Sequence, residues 1–198
     1  MVERGAEASL EPADLSRERI VDAAIALAES GTWEGARLHE VALALGTDLE
    51  HIQRFFREKD EIVDAFFDRA DRAAVRVSAE QKFQGLSRDG RMQQTIMTWL
   101  HALAPHRRVV REMIGTKLEF GHVHIQFPAL MRISRTVQWF RESAGYCDTL
   151  PRRALIEAVH TSIYLAIFTY WMRDESKNSE KTEKLLERML KGAARVPG

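Results

Sequence analysis

The chain has 198 residues, of which 45% are hydrophobic and 29% charged, so it has the composition of a globular protein large enough to bury a core. Its one cysteine, Cys147, excludes an intramolecular disulfide and argues against a cysteine-based zinc site, and we expect a reducing, cytoplasmic location. Charges balance overall, but residues 1–83 hold 11 Lys and Arg against 18 Asp and Glu, whereas residues 84–198 hold 18 against 11.

We expect neither a membrane span nor a signal peptide. The longest apolar runs, such as residues 163–171, are far shorter than the roughly 20 residues that cross a bilayer. The opening residues lack the order of a signal peptide, in which a basic region precedes an apolar one. Residues 1–15 show no apolar period and are predicted to form a flexible tail.

The first predicted helix begins after this tail. Apolar residues from Ile20 to Ala28 recur at helical spacing, Ser16 is a suitable N-cap, and Gly31 is expected to end the helix.

Two short helices are predicted next. The first starts near Leu38 and ends at Gly46, and the second follows at once, because Thr47 and Glu50 fit the Ser/Thr-x-x-Glu capping box. A longer helix followed by two short ones around a tight glycine-containing turn is typical of a helix-turn-helix domain, which we place over residues 16–58.

Residues 59–198 are predicted to form a larger helical bundle. A long helix runs from about Lys59 to Phe83, and no useful strand pattern follows it, so the fold class is all-α with about nine helices. The remaining helices are expected near residues 90–104, 106–119, 126–144, 151–173 and 178–192.

Three segments of the N-terminal part resemble the TetR family of transcriptional regulators. They are residues 17–31 (RERIVDAAIALAESG), 41–46 (VALALG) and 55–62 (FFREKDEI), in which Phe56, Lys59 and Ile62 match the family's closing motif. The resemblance implies that the N-terminal domain binds operator DNA as a dimer. It also implies that the C-terminal domain holds an apolar pocket, whose ligand changes the spacing of the two DNA-binding domains.

The third helix departs from the family pattern. Asp48, Glu50, His51, Gln53 and Phe55 stand where such regulators usually have Ser, Gly or Pro, Thr, Tyr and His. Carboxylates beside a phosphate backbone add repulsion, so we expect binding to operator DNA to be weakened. The candidate DNA-binding residues are Arg37, Thr47, His51, Gln53, Arg54, Arg57 and Lys59.

The C-terminal third is similar to the TetR-fold lipid-binding protein of ubiquinone biosynthesis, which lacks DNA-binding function. The similarity lies in residues 144–159 and 173–190, and the shared residues are Ala144, Gly145, Arg153, Ala154, Asp174, Ser176, Glu180, Thr182, Leu186 and Arg188. It implies an alternative function, that of a TetR-fold lipid or small-molecule binding protein without DNA recognition.

Large aromatic and methionine side chains are concentrated in the C-terminal part. For any one of them ordinary core packing is the favoured interpretation, but as a group they indicate a pocket for a hydrophobic small molecule or lipid between helices. The candidate ligand-binding residues are Trp99, Met113, Phe120, Phe127, Met131, Trp139, Tyr164, Phe168 and Trp171.

No metal site, cofactor or enzymatic activity is predicted. His122 and His124, even with His101 or His106 added, lack metal-ligand spacing, because residues two apart do not share a helix face. The sequence contains no glycine-rich phosphate loop, His-Glu-x-x-His motif or nucleophile elbow.

The last two helices are expected to form a homodimer interface. Their apolar stripes could pair with the same stripes in a second chain, and packing within one chain is the alternative. These stripes consist of Leu155, Val159, Ile163 and Ile167 in one helix and Leu185, Leu186, Met189 and Leu190 in the other.

Overall fold

A computed structural model of the chain describes residues 15–118, 123–146 and 152–194, and describes the backbone alone for 117–118, 123–131 and 152. Every regular element within these ranges is helical, which confirms the predicted all-α class. The predicted tail lies outside the described residues except for Leu15, and so does Cys147. No helix in the described part is long and apolar enough to cross a membrane.

Ten α-helices are described. They are α1 (Arg17–Ser30), α2 (Leu38–Ala44), α3 (Leu49–Phe55), α4 (Lys59–Arg76), α5 (Gln81–Gln84), α6 (Arg88–Leu103), α7 (Arg107–Leu118), α8 (Val123–Ala144), α9 (Arg152–Trp171) and α10 (Glu180–Ala193). Short 3₁₀ turns occupy Val77–Ala79, Ala104–His106 and Lys177–Ser179.

The described chain divides into two compact units. The first consists of residues 15–67 together with Arg108–Thr116, and the second consists of Asp68–Arg107 together with the described residues after 116. Helices α4 and α7 therefore contribute residues to both units.

Helix α1 of the first unit begins and ends where the sequence predicts. Ser16 Oγ accepts a hydrogen bond from the Arg19 backbone N–H at 3.3 Å, and the Gly31 N–H donates to Leu27 O at 3.0 Å. Its buried face, which includes Ile20 and Ala28, packs against α2. The helix is thus capped by a side chain at one end and by backbone at the other.

The turn between α2 and α3 follows the prediction, but the cap of α3 does not. Gly46 has a φ of +63°, and the Thr47 N–H donates to Ala42 O at 3.0 Å, so the chain reverses in a left-handed turn that favours glycine. The N-cap of α3 is Asp48, not Thr47, because the Asp48 carboxylate accepts the His51 N–H at 2.9 Å. The predicted capping box formed by Thr47 and Glu50 is therefore wrong.

Helix α4 is shorter than predicted. It ends at Arg76, a 3₁₀ turn follows, and Glu80 is extended before α5 begins. Gln84 Nε2 donates to Ser78 O at 2.7 Å, which closes this bend, and Phe83 becomes fully buried.

The second unit is a bundle in which α6 packs against α8 and α10, and α9 packs against α8 and α10. Trp99, Leu100 and Leu103 of α6 are at most 1% exposed, so α6 lies in the interior of this unit. Helix α8 begins at Val123, three residues earlier than predicted.

The link between α9 and α10 is fixed by buried polar groups. The Asp174 carboxylate accepts hydrogen bonds from the hydroxyl and N–H of Ser176, at 2.6 and 2.9 Å, and from those of Thr182, also at 2.6 and 2.9 Å. Arg107 donates to Asp174 O and to Ser179 Oγ. Burial pushes the pKa of Asp174 upward, but these donors outweigh it and lower the pKa to about 2.

Candidate functional site

Helix α3 presents the polar face of the helix-turn-helix. Its Ile52 is buried against the rest of the first unit, whereas Gln53 and Arg54 are exposed. A recognition helix reads base edges with such exposed side chains, because its apolar side is occupied by packing.

Acidic neighbours engage the basic groups of this helix. Arg54 Nη2 donates to Glu50 Oε1 at 2.8 Å, and His51 Nδ1 lies 2.7 Å from Asp48 Oδ1. The backbone N–H and the ring of His51 lower the pKa of Asp48, so this carboxylate stays ionised at neutral pH. The basic groups of α3 therefore lie beside negative charges on the same helix.

The other predicted DNA-binding residues lie outside α3. Arg37 precedes α2 and Arg57 follows α3, and both side chains are exposed. Thr47 is half-buried in the turn. Lys59 differs from them, because its Nζ donates to Trp33 O and lies 4.5 Å from the centre of the Trp33 ring. Partial burial lowers the pKa of Lys59, and its ammonium group is used in packing the first unit.

Two exposed leucines flank the turn of the helix-turn-helix, and the sequence analysis missed them. Leu43 of α2 is 75% exposed and Leu49 of α3 is 50% exposed. Both occupy solvent-facing positions of an otherwise amphipathic pair of helices, which is the pattern that would have identified them. Together with Asp48 and Glu50 they make the face of α2 and α3 partly apolar and acidic.

Arg108 and Glu112 of α7 also went unrecognised, and they hold the end of α1. Arg108 Nη2 donates to Ala28 O at 2.7 Å and to Glu29 O at 2.9 Å, and Nη1 donates to Gly31 O at 2.9 Å. Glu112 pairs with Arg108 at 2.6 Å and accepts the Trp33 N–H at 2.6 Å. One charged pair thus satisfies the last carbonyls of α1 and positions the segment that follows.

An aromatic cluster occupies the interior of the second unit. The Trp99 ring contacts Phe140, Tyr164 and Phe168 with centroid distances of 6.2, 5.5 and 5.4 Å, each edge to face. Trp171 stacks on Phe168 at 5.9 Å. Four predicted ligand-binding residues, Trp99, Tyr164, Phe168 and Trp171, are therefore brought together.

A half-buried carboxylate lies at the edge of this cluster. Asp71 Oδ1 accepts the Trp99 indole N–H at 2.7 Å and the Thr136 hydroxyl at 3.2 Å, and Arg132 Nη2 lies 3.4 Å from Asp71 Oδ2. Burial raises the pKa of Asp71, and Arg132 counteracts this. Tyr164 has a raised pKa because it is fully buried and because Asp71 is nearby. The aromatic cluster is thus bordered by a polar group of three side chains, Asp71, Arg132 and Thr136.

The other predicted ligand-binding residues are not part of the aromatic cluster. Met113 is buried in the first unit. Trp139 is 50% exposed and lines a cleft with arginines. Phe120 lies outside the described residues, and so do the side chains of Phe127 and Met131.

The candidate histidines are distributed separately. His101 Nε2 lies 3.2 Å from Asn178 O, whereas His122 and the side chain of His124 are outside the described part. Among the residues that are described, no three His, Cys, Asp or Glu side chains are grouped so that they could hold a metal ion.

Comparison with known proteins gives matches among solved structures. The chain is 47% identical to a TetR transcriptional regulator from Nitrosomonas europaea, with a TM-score of 0.80. The match covers 90% of this chain and 97% of that protein. No protein-family model matches the chain, and a search of curated proteins finds no relative.

Two structures from Rhodococcus sp. RHA1 share the fold at 17% identity. One is a TetR transcriptional regulator with a TM-score of 0.69, and the match covers 92% of this chain and 97% of that one. The other is a TetR-like transcriptional regulator with a TM-score of 0.53, and the match covers 90% and 96%.

Proposed function

Because this chain belongs to the TetR family of transcriptional regulators, we propose that it binds operator DNA as a homodimer. Binding of a hydrophobic small molecule in the second unit would change its affinity for that DNA. The observation that carries the proposal is the helix-turn-helix, in which α3 exposes Gln53 and Arg54. A glutamine can pair with adenine and an arginine with guanine or phosphate.

Affinity for DNA is expected to be modest. Electrostatic contacts with phosphates supply most non-specific affinity, and Glu50 competes with phosphate for Arg54. Specificity would then rest more on direct contacts to base edges than on phosphate contacts.

The exposed face of α9 supports dimer formation. Ile163 and Ile167 of the predicted stripe are buried within the chain, as are Leu186 and Leu190 of α10. The side that remains exposed carries no charge from Ala158 to Tyr170, and it consists of Leu155, Ala158, Ser162, Leu165, Ala166, Thr169 and Tyr170.

These residues recur every three or four positions, so they line one face of the helix. Leu155 is 58% exposed, Tyr170 41% and Leu165 38%. An uncharged, partly apolar face over four helical turns is unusual for a surface in contact with water. A second copy of α9 would cover it in an isologous interface, with α10 beside it.

The aromatic cluster supports a hydrophobic ligand. Trp99, Tyr164 and Phe168 offer flat apolar surfaces, and Asp71 adds one polar group that could orient a bound molecule. Because these rings are in contact with one another, a ligand between α6 and α9 would have to displace at least one of them.

Selection from a randomised duplex library tests the DNA-binding part, because the operator sequence does not have to be chosen in advance. We expect enrichment of a pseudo-palindrome whose half-sites are about 10 base pairs apart, because a two-fold dimer reads two half-sites one DNA turn apart. If no sequence at all is enriched, operator binding is contradicted.

A second candidate function is favoured by the character of α2 and α3. The exposed Leu43 and Leu49, with the acidic Asp48 and Glu50, would suit a TetR-fold protein that binds a lipid or small molecule and does not recognise DNA. Native mass spectrometry of the purified protein distinguishes the two. Co-purified lipid together with absence of sequence enrichment would favour this second function.

A further inference from the structure

A cleft of about 460 Å³ lies in the second unit, where the C-terminal half of α8 approaches the start of α9. Three arginines line it, Arg135 and Arg141 from α8 and Arg153 from α9. Trp139 and Tyr146 supply aromatic walls, and Glu142 is the one acid among the described residues of the lining. None of these residues belongs to the aromatic cluster around Trp99.

Arg141 is the buried cation of the cleft. It is only 4% exposed, and its Nη1 donates to Glu157 Oε2 at 3.1 Å. A buried guanidinium held by one carboxylate keeps a fixed orientation. Glu157 thus neutralises Arg141 in part and fixes the guanidinium beside the cleft.

Arg135 and Arg153 differ from Arg141, because both are exposed. Within the described part of the chain, neither has a carboxylate within 4.0 Å. They therefore give the cleft an excess of positive charge that Glu142 does not balance.

The two aromatic side chains of the cleft, Tyr146 and Trp139, differ in how firmly they are held. The Tyr146 hydroxyl donates to Asp89 Oδ1 at 2.9 Å, and its ring contacts His160 at 4.7 Å, so this wall is fixed. Trp139 is half-exposed, which leaves an indole face open to a flat partner.

We propose that this cleft binds a small organic anion, with its carboxylate or phosphate on the arginines and a flat apolar body on Trp139. A guanidinium group can donate two parallel hydrogen bonds to two oxygens of a carboxylate or of a phosphate, and an aromatic wall favours an aromatic or unsaturated body. The site is separate from the proposed hydrophobic site at Trp99, so the protein would sense two chemically different molecules. Residues 84–198 hold 18 Lys and Arg against 11 Asp and Glu, and this excess of positive charge also favours binding of anions.

Tryptophan fluorescence tests the proposal, because Trp139 stands apart from the other three tryptophans. Trp33, Trp99 and Trp171 are at most 3% exposed, whereas Trp139 is 50% exposed, so quenching by acrylamide reports mainly on Trp139. The probes are benzoate, phenyl phosphate, the neutral benzyl alcohol and inorganic phosphate, added to the full-length protein.

Benzoate or phenyl phosphate should protect Trp139 from quenching, with saturation, and the stronger of the two identifies the anion. Arg135→Gln and Arg153→Gln should each weaken this protection about tenfold in apparent Kd, because each removes a charge-assisted contact. Both side chains are exposed, so the variants should fold, and Arg76→Gln serves as a matched control because Arg76 is exposed and does not line the cleft.

Equal protection by benzyl alcohol would overturn the proposal, since it would show that charge is not recognised. Protection by inorganic phosphate as strong as that by phenyl phosphate would overturn the role of Trp139. Absence of protection by both aromatic anions, or unchanged protection in both arginine variants, would also contradict it.

Discussion

Arg54 Nη2 lies 2.8 Å from Glu50 Oε1, one turn earlier on α3, so an arginine proposed to contact DNA is engaged by an acid of the same helix. Both side chains are well exposed, at 59% and 73%, and such a surface pair is weak. Under the proposed function we therefore expect DNA to displace Glu50 from Arg54 at a cost in affinity.

Substitution Glu50→Gln should increase DNA affinity. The change removes one negative charge and releases Arg54, so affinity should rise, and the slope of log affinity against log salt should steepen by about 0.9 if Arg54 gains one phosphate. Fluorescence anisotropy with a selected duplex measures both quantities.

Glu34→Gln is the matched control, because Glu34 is an exposed acid of the same unit outside α3. Equal effects of the two substitutions would mean that only net charge matters and that the pair with Arg54 does not.

Substitution Arg108→Gln should destabilise the end of α1. It removes donors to Ala28 O, Glu29 O and Gly31 O, and since the Arg108 side chain is 39% exposed, we expect a loss of about 1–2 kcal/mol. Hydrogen exchange should accelerate in the last turn of α1 and at the Trp33 amide.

Arg111→Gln, at an exposed position three residues further along α7, should leave these exchange rates unchanged. Protection of the same amides in both variants would show that α1 ends stably without Arg108.

Asp174 should make stability depend on pH in the acid range. Its pKa is lowered from 3.8 to about 2 in the folded chain, so the native state favours the carboxylate. This contribution is fully present above the unfolded pKa and is lost as the pH falls through the folded pKa, between about pH 4 and pH 2. Asp174→Asn should lose about 2–3 kcal/mol at pH 7, because hydrogen bonds to a charged acceptor are weakened.

Urea unfolding at several pH values measures this difference, which should shrink as the pH falls from 4. Glu175→Gln is the control, since Glu175 is exposed beside Asp174 and should have little effect at any pH. A constant difference between wild type and Asp174→Asn across this range would contradict the predicted lowering of the pKa.

Substitution Leu165→Glu should prevent dimer formation. In an isologous interface the substitution places a carboxylate on both copies and buries each one against an uncharged surface, so the apparent dissociation constant of the dimer should rise at least about tenfold. Sedimentation velocity over a range of concentrations measures it.

Lys184→Glu also introduces an acidic charge, but at a side chain that is 72% exposed on α10, and it should leave the dimer intact. Dimer formation by Leu165→Glu at wild-type concentrations would place the interface elsewhere.

Local features of the fold could be predicted from the sequence. The Ser16 cap, the Gly31 end of α1 and the left-handed Gly46 turn depend on residues within a few positions of one another. The end of α4 could not be predicted in this way, since the helical spacing of buried apolar residues continues through Val77 although the helix ends at Arg76. The Asp48 cap was missed because Thr47 and Asp48 are both good caps, and the turn geometry decides between them.

Much of the candidate site depends on contacts between distant positions. Asp71 meets Arg132 across 61 positions of the chain, and neither residue carries a local signal of this pairing. Trp139 is equivalent to Trp99 in sequence character, yet Trp99 on α6 is 1% exposed and Trp139 on α8 is 50% exposed. Periodicity identified an apolar face on α9 but could not separate the side that packs within the chain from the side that stays exposed.

Binding of wild-type protein to its selected duplex can be measured by anisotropy between about 50 and 200 mM salt. If α3 recognises DNA, binding should be saturable and should weaken with salt, and affinity should fall about tenfold or more with Arg54→Ala or Gln53→Ala but not with Arg76→Ala. Absence of binding at the lowest salt, or equal affinity of all three variants and wild type, would contradict recognition of DNA by α3.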